Sequence, residues 1–188
     1  KAGAELIAAR LMLLDDLAAH LSNAHEKVAM DAAQHRQQVE ASYRSQVEGI
    51  VETRDQTEIY HLLLNALREK RPAELERGIT LVGPHRDDIL LMIGEMPAKG
   101  YASHGEVWSL ALALRLASHE LFRSDGDDPI LILDDVFAEL DTKRRDHLAQ
   151  LVQDTEQVLI TAAVAHDVPE VLSGTRFTVH DGTVSCDD

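Results

Sequence analysis

Four consecutive apolar residues, Ile130, Leu131, Ile132 and Leu133, run directly into two adjacent carboxylates, Asp134 and Asp135. A strand that is apolar at every position has both faces covered, which in α/β proteins is done by helices packed on the two sides of a parallel sheet. Its polar residues then appear where it emerges, at the carboxyl edge, and that edge is where such sheets bind ligands. Two adjacent carboxylates repel one another unless a cation or a proton intervenes. Mg²⁺ with a nucleotide phosphate is one natural solution: one acid holds the ion through its water shell, and the other orients or deprotonates an attacking water. The alternative is an acid pair that only ends the strand and caps the next turn.

The elements around this strand alternate. A helix is expected from about Gly105 to Phe122, a strand over 130–134, a helix from about Thr142 to Val152 and a strand over Val158–Thr161. That order implies parallel strands with right-handed crossovers. Upstream, ITLV (79–82) and ILLMIGE (89–95) read as strands joined by GPHRDD. A short helix is expected near Val168–Leu172, and Asp181-Gly182 reads as a two-residue hairpin turn. The earlier part of the chain is helical in texture. Leu6, Leu13, Leu14, Leu17, Leu21, Val28 and Ala32 recur mostly three and four apart, predicting an amphipathic helix from Glu5 to about Gln38. ASYRSQVEGIVETRDQ reads as a connection or a short strand. TEIYHLLLNALREKR reads as a second helix with Pro72 just past its end, and Ala73–Arg77 as a third, stopped by Gly78. The expected organisation is a helical lobe over 1–78 and part of an α/β domain over 79–188.

Apolar residues make up 45% of the 188, enough for a real core. The net charge of −15 is concentrated after residue 70, where 22 acidic side chains face 10 basic ones. That balance argues against broad contact with a nucleic acid backbone by this segment alone, while leaving room for a local basic patch. No apolar run approaches the roughly 18 residues that span a bilayer, and no secretory leader pattern is present. The single Cys186 rules out a disulfide framework and fits a reducing cytoplasm. The expected location is therefore cytoplasmic, without a membrane. The chain begins at KAGAELIAARL, mid-pattern and without Met, as if it were part of something longer.

A second stretch bears on the acid pair. In YASHGEVWSLALALRLASHELF (101–122), Ser103 and Gly105 stand just ahead of a strongly apolar helix. Ser is a natural helix cap, Gly permits close backbone approach, and a helix N-terminus is a ready anion site. Ser103-His104-Gly105-Glu106 resembles the signature motif of ABC-type ATPases, usually Ser-Gly-Gly-Gln. ILILDD resembles their Walker B strand, and AELD (138–141) the loop that follows it across a dimer interface. The wording AELDTKRRDHL and the upstream GPHRDD are most similar to the RecF family, which is related to SMC proteins. The resemblance covers residues 79–165 well and the earlier helices in general character.

The resemblance implies an α/β fold, the C-terminal part of an ABC-type ATPase head with a parallel-rich sheet and flanking helices, plus a helical lobe. It implies that Asp134 holds Mg²⁺ indirectly and that Asp135 polarises the attacking water. Ser103, Gly105 and Glu106 would grip the γ-phosphate of ATP bound to the opposite protomer, and Asp141 would link the two sites. The cofactors implied are ATP and Mg²⁺, acting in an ATP-dependent homodimer that hydrolysis releases. The implied whole-protein function is ATP-dependent binding of DNA at gaps or single-strand–duplex junctions during recombinational repair, with RecR and RecO as mediators.

Three departures from the family pattern stand out. Asp135 occupies a place where most ABC ATPases have Glu; being one methylene shorter, it implies slow hydrolysis, suited to a switch. Glu106 replaces Gln and adds negative charge beside a phosphate site. No G-x-x-x-x-G-K-[ST] phosphate loop occurs in the chain. RecF-like proteins carry that loop near their N-terminus, so the chain is expected to be a C-terminal half that alone neither binds ATP usefully nor hydrolyses it.

Other residues carry weaker signals. The ten His show no ligand spacing. His85-Arg86 fits a phosphate contact or a turn pairing Arg86 with Asp87 or Asp88. Lys143-Arg144-Arg145 fits a DNA or partner contact, or a solvated face. Two rival functions remain. A receiver-type domain needs a further strand-end Asp and a Lys, whereas the strand at 160–161 ends in Thr and no suitable Lys follows. A non-catalytic helical docking module on a degenerate ATPase would survive loss of Asp134 or Ser103.

Overall fold

The computed structural model describes residues 1–29 and 33–187. The architecture is mixed α/β with a parallel sheet and flanking helices, but the apolar strand that ends at Asp134 is not covered on both faces: Leu133 is buried while Ile132 is 64% exposed. The chain forms two compact units, one running from Lys1 to Asp125 and the other beginning at Gly126.

The first unit contains α1 (Ala2–Val28), the single turn α2 (Gln34–Gln37), β1 (Val39–Arg44), α3 (Gln56–Arg77), β2 (Asp88–Ile93), β3 (Met96–Pro97), the turn α4 (Ala98–Tyr101) and α5 (His104–Ser124). The strands make an antiparallel sheet in the order β1-β2-β3, with Val39 opposite Ile93 and Arg44 opposite Asp88. Helix α1 packs on α5, β1 and α3. Its residues Ala4, Ile7, Ala8 and Leu11 lie on one helical face, and they share a core with Tyr43, Ile50, Ile59, Leu63 and Val82. Ile7, Ile50 and Ile59 are wholly buried; each such side chain contributes about 2 kcal/mol through apolar burial.

Several boundaries differ from the sequence reading. The first helix stops at Val28, where Ala29 leaves helical geometry and its N–H closes on the His25 carbonyl at 2.8 Å. The remainder of that expected helix, including Ala32, falls partly at 30–32, outside the described residues. Strand β1 settles the alternative left open for ASYRSQVEGIVETRDQ. The expected second and third helices are one, because α3 runs through Pro72. An interior Pro forfeits a hydrogen bond and costs about 3 kcal/mol in a helix, but the position is exposed and the helix continues to Gly78. Gly78 adopts the left-handed conformation, φ 67°, that ends helices. ITLV (79–82) is not a strand. Its backbone is served by side chains instead: the Leu81 N–H donates to Glu74 Oε1 at 2.7 Å, and Arg86 Nε donates to the Thr80 carbonyl at 2.9 Å. The packing divides after Asp125, while β1 and β2 pair across residue 78.

The second unit contains β4 (Leu131–Asp134), α6 (Thr142–Val152), β5 (Val158–Thr161), β6 (Arg176–His180) and β7 (Thr183–Asp187). Strands β4 and β5 are parallel, with Leu131 opposite Val158 and Asp134 opposite Thr161. Helix α6 lies in the crossover between them, as the alternation predicted. Strands β6 and β7 form the expected hairpin, and Asp181 and Gly182 both take positive φ, 47° and 76°. The helix expected near Val168–Leu172 is replaced by a 3-10 turn at Ala165–Asp167. Val168 is extended because it precedes Pro169, and proline disfavours helical geometry in the residue before it. Among the described residues no helix is long and apolar enough to cross a membrane.

Candidate functional site

The turn into α5 is built by Ser103 and Glu106. Ser103 is extended and serves as the cap. Its backbone N–H and its hydroxyl both donate to Glu106 Oε2 at 2.8 Å, and the Glu106 N–H donates back to Ser103 Oγ at 3.3 Å. This reciprocal box satisfies helix-terminal donors that would otherwise lack partners. The other carboxylate oxygen, Oε1, lies 3.3 Å from the Arg36 guanidinium. Hydrogen bonds from the Ser103 backbone and hydroxyl, aided by the positive charge of Arg36, hold the Glu106 carboxyl below its ordinary 4.5. Gly105 sits in the first turn of the helix, partly buried. Beyond it, Leu110, Leu112, Ala113, Leu116 and Ala117 bury one face of α5.

Beside this turn lies His25, on α1, 1% exposed. Its Nδ1 is 2.9 Å from the Gln37 carbonyl, so Nδ1 carries the proton and donates it. Its Nε2 has no partner among the described residues. Burial drives the imidazole pKa below its ordinary 6.5, which keeps the ring neutral at pH 7.

In the second unit, β4 ends at Asp134 and β5 at Thr161, directly opposite. The Thr161 hydroxyl donates to Asp134 Oδ1 at 2.5 Å. The Asp135 N–H is bonded to both the Thr161 carbonyl, at 3.2 Å, and Thr161 Oγ1, at 3.0 Å. Asp135 itself takes a left-handed conformation, φ 53° and ψ 21°, which is uncommon outside Gly. Both carboxylates are exposed at the carboxyl edge of the parallel pair. Among the described residues no three His, Cys, Asp or Glu side chains converge into a cage for a metal. Two exposed carboxylates at a strand edge fit a hard ion that keeps most of its water and takes further oxygens from a phosphate, which is how Mg²⁺ binds.

After the acid pair the chain makes a 3-10 turn over Val136–Glu139, anchored by the wholly buried Phe137. Asp141 then caps α6, accepting from the Arg144 N–H at 3.0 Å, with Arg144 Nε 3.6 Å from its second oxygen. Arg145 turns inward. Its Nε donates to the Leu140 carbonyl at 2.8 Å, and its Nη1 lies 2.8 Å from Oδ1 of the buried Asp167. Two members of the basic triplet are thus spent within the unit, one on a cap and one on a brace between the loop after β4 and the turn after β5.

GPHRDD is likewise internal. Arg10 donates to the Pro84 carbonyl at 2.8 Å, Tyr43 and Ser45 each donate to Asp87 at 2.8 Å, and His85 meets the Thr80 hydroxyl. Arg86 goes to the Thr80 carbonyl, not to Asp87 or Asp88. The residues that sequence reading missed are Thr161 and Arg36. The register of the parallel pair pointed to the first, since the residue ending β5 had to face Asp134; nothing local pointed to the second.

No model of a known protein family matches the chain. Individual curated proteins do. The DNA replication and repair protein RecF of Streptomyces avermitilis is 54% identical over 184 residues, which are 98% of this chain and 48% of that protein. RecF of Nocardioides sp. is 52% identical over 98% of the chain and 44% of its own length, and RecF of Cutibacterium acnes 52% over 97% and 48%. This chain belongs to the RecF family. It spans about half the length of the curated RecF proteins it matches. Solved structures agree. Two, described as the recombination mediator protein RecF-ATPrS and RecF-ATP in the RecFOR pathway, superpose with TM-scores of 0.78 at 27% and 26% identity. They cover 98% of this chain and 47% and 48% of theirs. The α/β architecture corresponds to the C-terminal part of the RecF ABC-type ATPase.

Proposed function

We propose that this chain supplies the signature motif, Walker B strand and interface loop of a composite ATP site, in an ATP-dependent dimer of a RecF-family DNA repair protein. The observation that carries this reading is the pair Asp134 and Asp135, exposed at the carboxyl edge of a parallel sheet and held from behind by Thr161. Relatives described as RecF-ATP support nucleotide as the ligand. Bound Mg²⁺ would offset phosphate charge at this edge. Asp134, with one oxygen engaged by Thr161, has its carboxylate fixed in orientation to accept from water around the ion. Asp135, turned outward by its left-handed backbone, takes the general-base or water-orienting role. Ser103, Gly105 and Glu106 form the N-terminus of a 21-residue helix; the Gly105 amide and the Ser103 hydroxyl are the donors offered to the γ-phosphate of a partner protomer's ATP, while Glu106 holds the cap. Asp141, next to the signature of the other copy in such a dimer, links the two sites.

Hydrolysis is slow on this reading, because Asp135 is a short acid, and the dimer behaves as a switch. The DNA substrate is a gap or a single-strand–duplex junction, with RecR and RecO as mediators. These belong to the intact protein and rest on kinship.

The test is the solution mass of the full-length protein by light scattering, with and without Mg-ATP, beside Ser103→Arg. The mass should double with ATP and stay single in the variant. An unchanged mass, or a variant that dimerises equally well, would favour a docking module instead.

A further inference from the structure

We infer that Arg36 is a positioning residue of the signature site, a resident cation that lets Glu106 stand where the ABC pattern has a neutral Gln. The inference rests on the composite-site reading and deepens it. A carboxylate at a helix N-terminus takes up the same positive field that a phosphate would use. An unneutralised Glu106 would therefore both compete with and repel an incoming γ-phosphate. The structure divides the two oxygens of Glu106 between two tasks. Oε2 accepts from the Ser103 N–H and hydroxyl, and Oε1 faces Arg36 at 3.3 Å.

The neighbouring groups make Arg36 the permanent charge of this cluster. His25, close enough to act on Glu106, is neutral because it is buried. Arg36 comes from α2, a separate element from the helix it serves, and its side chain remains about one-third exposed, at 32%. It can therefore hold Glu106 and still feel a polyanion.

The division of labour gives the site a way to open. In this structure the Ser103 hydroxyl is committed as a donor to Glu106. To grip a phosphate it must donate there instead. When it leaves, Glu106 keeps the Ser103 backbone N–H on Oε2 and Arg36 on Oε1, so the helix cap survives and the carboxylate stays neutralised. Without Arg36, the same exchange would leave an anion beside an anion.

The experiment is ATP-driven dimerisation of the full-length protein with Mg²⁺, followed by light scattering across an ATP titration, with five proteins compared, Ser103→Arg among them. Arg36→Ala should raise the ATP concentration for half-dimerisation about tenfold. Arg36→Lys should recover most of that loss, because charge is what is needed. In Arg36→Ala/Glu106→Gln the midpoint should return to within about threefold of the unaltered protein, since a neutral Gln needs no neutralising; Gln still completes the capping box. An Arg36→Ala protein that titrates like the unaltered one overturns the assignment. So does a double variant as impaired as Arg36→Ala, because a purely structural role would not be rescued by removing the charge at 106. If the unaltered protein itself stays monomeric with ATP, the composite site falls and Arg36 with it. If it dimerises, Ser103→Arg does not, and Arg36→Ala does, only the Arg36 assignment falls.

Discussion

Ser103 and Glu106 satisfy one another through three hydrogen bonds, and Glu106 adds an ion pair to Arg36. At the end of β4, by contrast, Asp134 and Asp135 lean on one residue, Thr161, and otherwise face solvent. The first arrangement is largely local: a cap and its partner three residues on, which form wherever the helix forms. The second is wholly tertiary. It exists only when β5 pairs with β4 in register, across a connection that includes α6. One cluster is thus prepared by sequence-neighbour chemistry and the other by sheet topology, and the two should fail in different ways.

The sharpest way to test that difference is at the acid pair itself. On the composite-site reading, Asp135→Asn keeps the size of the side chain and tolerates the left-handed backbone, so the fold and the proposed ATP-dependent dimerisation of the full-length protein should persist. Its hydrolysis rate should fall on the order of 100-fold, the contribution of a positioned general base. Phosphate release measured beside dimer mass separates the two effects, and a variant hydrolysing at the normal rate removes Asp135 from the chemistry.

A smaller effect is expected from Arg145→Met. It strips the Leu140 carbonyl and the buried Asp167 of their donor. Because the pair is only partly shielded, the expected loss is about 1–2 kcal/mol of stability, read as a lower urea midpoint. If the midpoint does not move, the brace between the loop after β4 and the turn after β5 is ornamental, and the second unit depends less on tertiary contacts than the comparison holds.

The smallest effect concerns pH at the other site. His25 has its folded pKa depressed below 6.5, so the unfolded chain takes up its proton first as pH falls. Its contribution is therefore present above pH 6.5 and is lost as pH drops from there toward the folded value. Glu106, depressed below 4.5, loses its contribution in the same direction but lower, beginning near pH 4.5. His25→Leu should flatten the fall in Tm between pH 7.5 and 5.5 and leave the acid-side fall intact. A slope identical to that of the unaltered chain would show that His25 is already free to ionise.

Much of this is legible in the sequence. Helix α6 and strand β5 lie where their residue pattern puts them, at Thr142–Val152 and Val158–Thr161, because strand and helix alternate here with short connections. The Asp-Gly turn was equally plain, since few other dipeptides tolerate two positive φ angles in succession. What could not be read was competition from distant groups. ITLV has the composition of a strand, yet Glu74 and Arg86 reach its backbone before any strand does. Pro72 reads as a stop because its cost is local, yet α3 runs through it to Arg77. Ser103 and Asp134 stand out in the sequence because they end elements, and Asp141 through the resemblance of AELD (138–141) to an interface loop. Thr161, Arg36 and Asp167 do not, because their roles are set by residues between 22 and 70 positions away.

The left-handed turn at Asp135 bears on how long a nucleotide-held dimer would last. That conformation costs an L-residue about 1–2 kcal/mol, and Asp and Asn bear it best because a short polar side chain can hydrogen-bond locally. The Glu found at this place in most ABC ATPases would extend closer to a water but sit less readily on this backbone. Reach and torsion therefore pull in opposite directions, and the shorter acid follows the torsion. On the composite-site reading, the clock that times the dimer's release is wound by a single backbone angle.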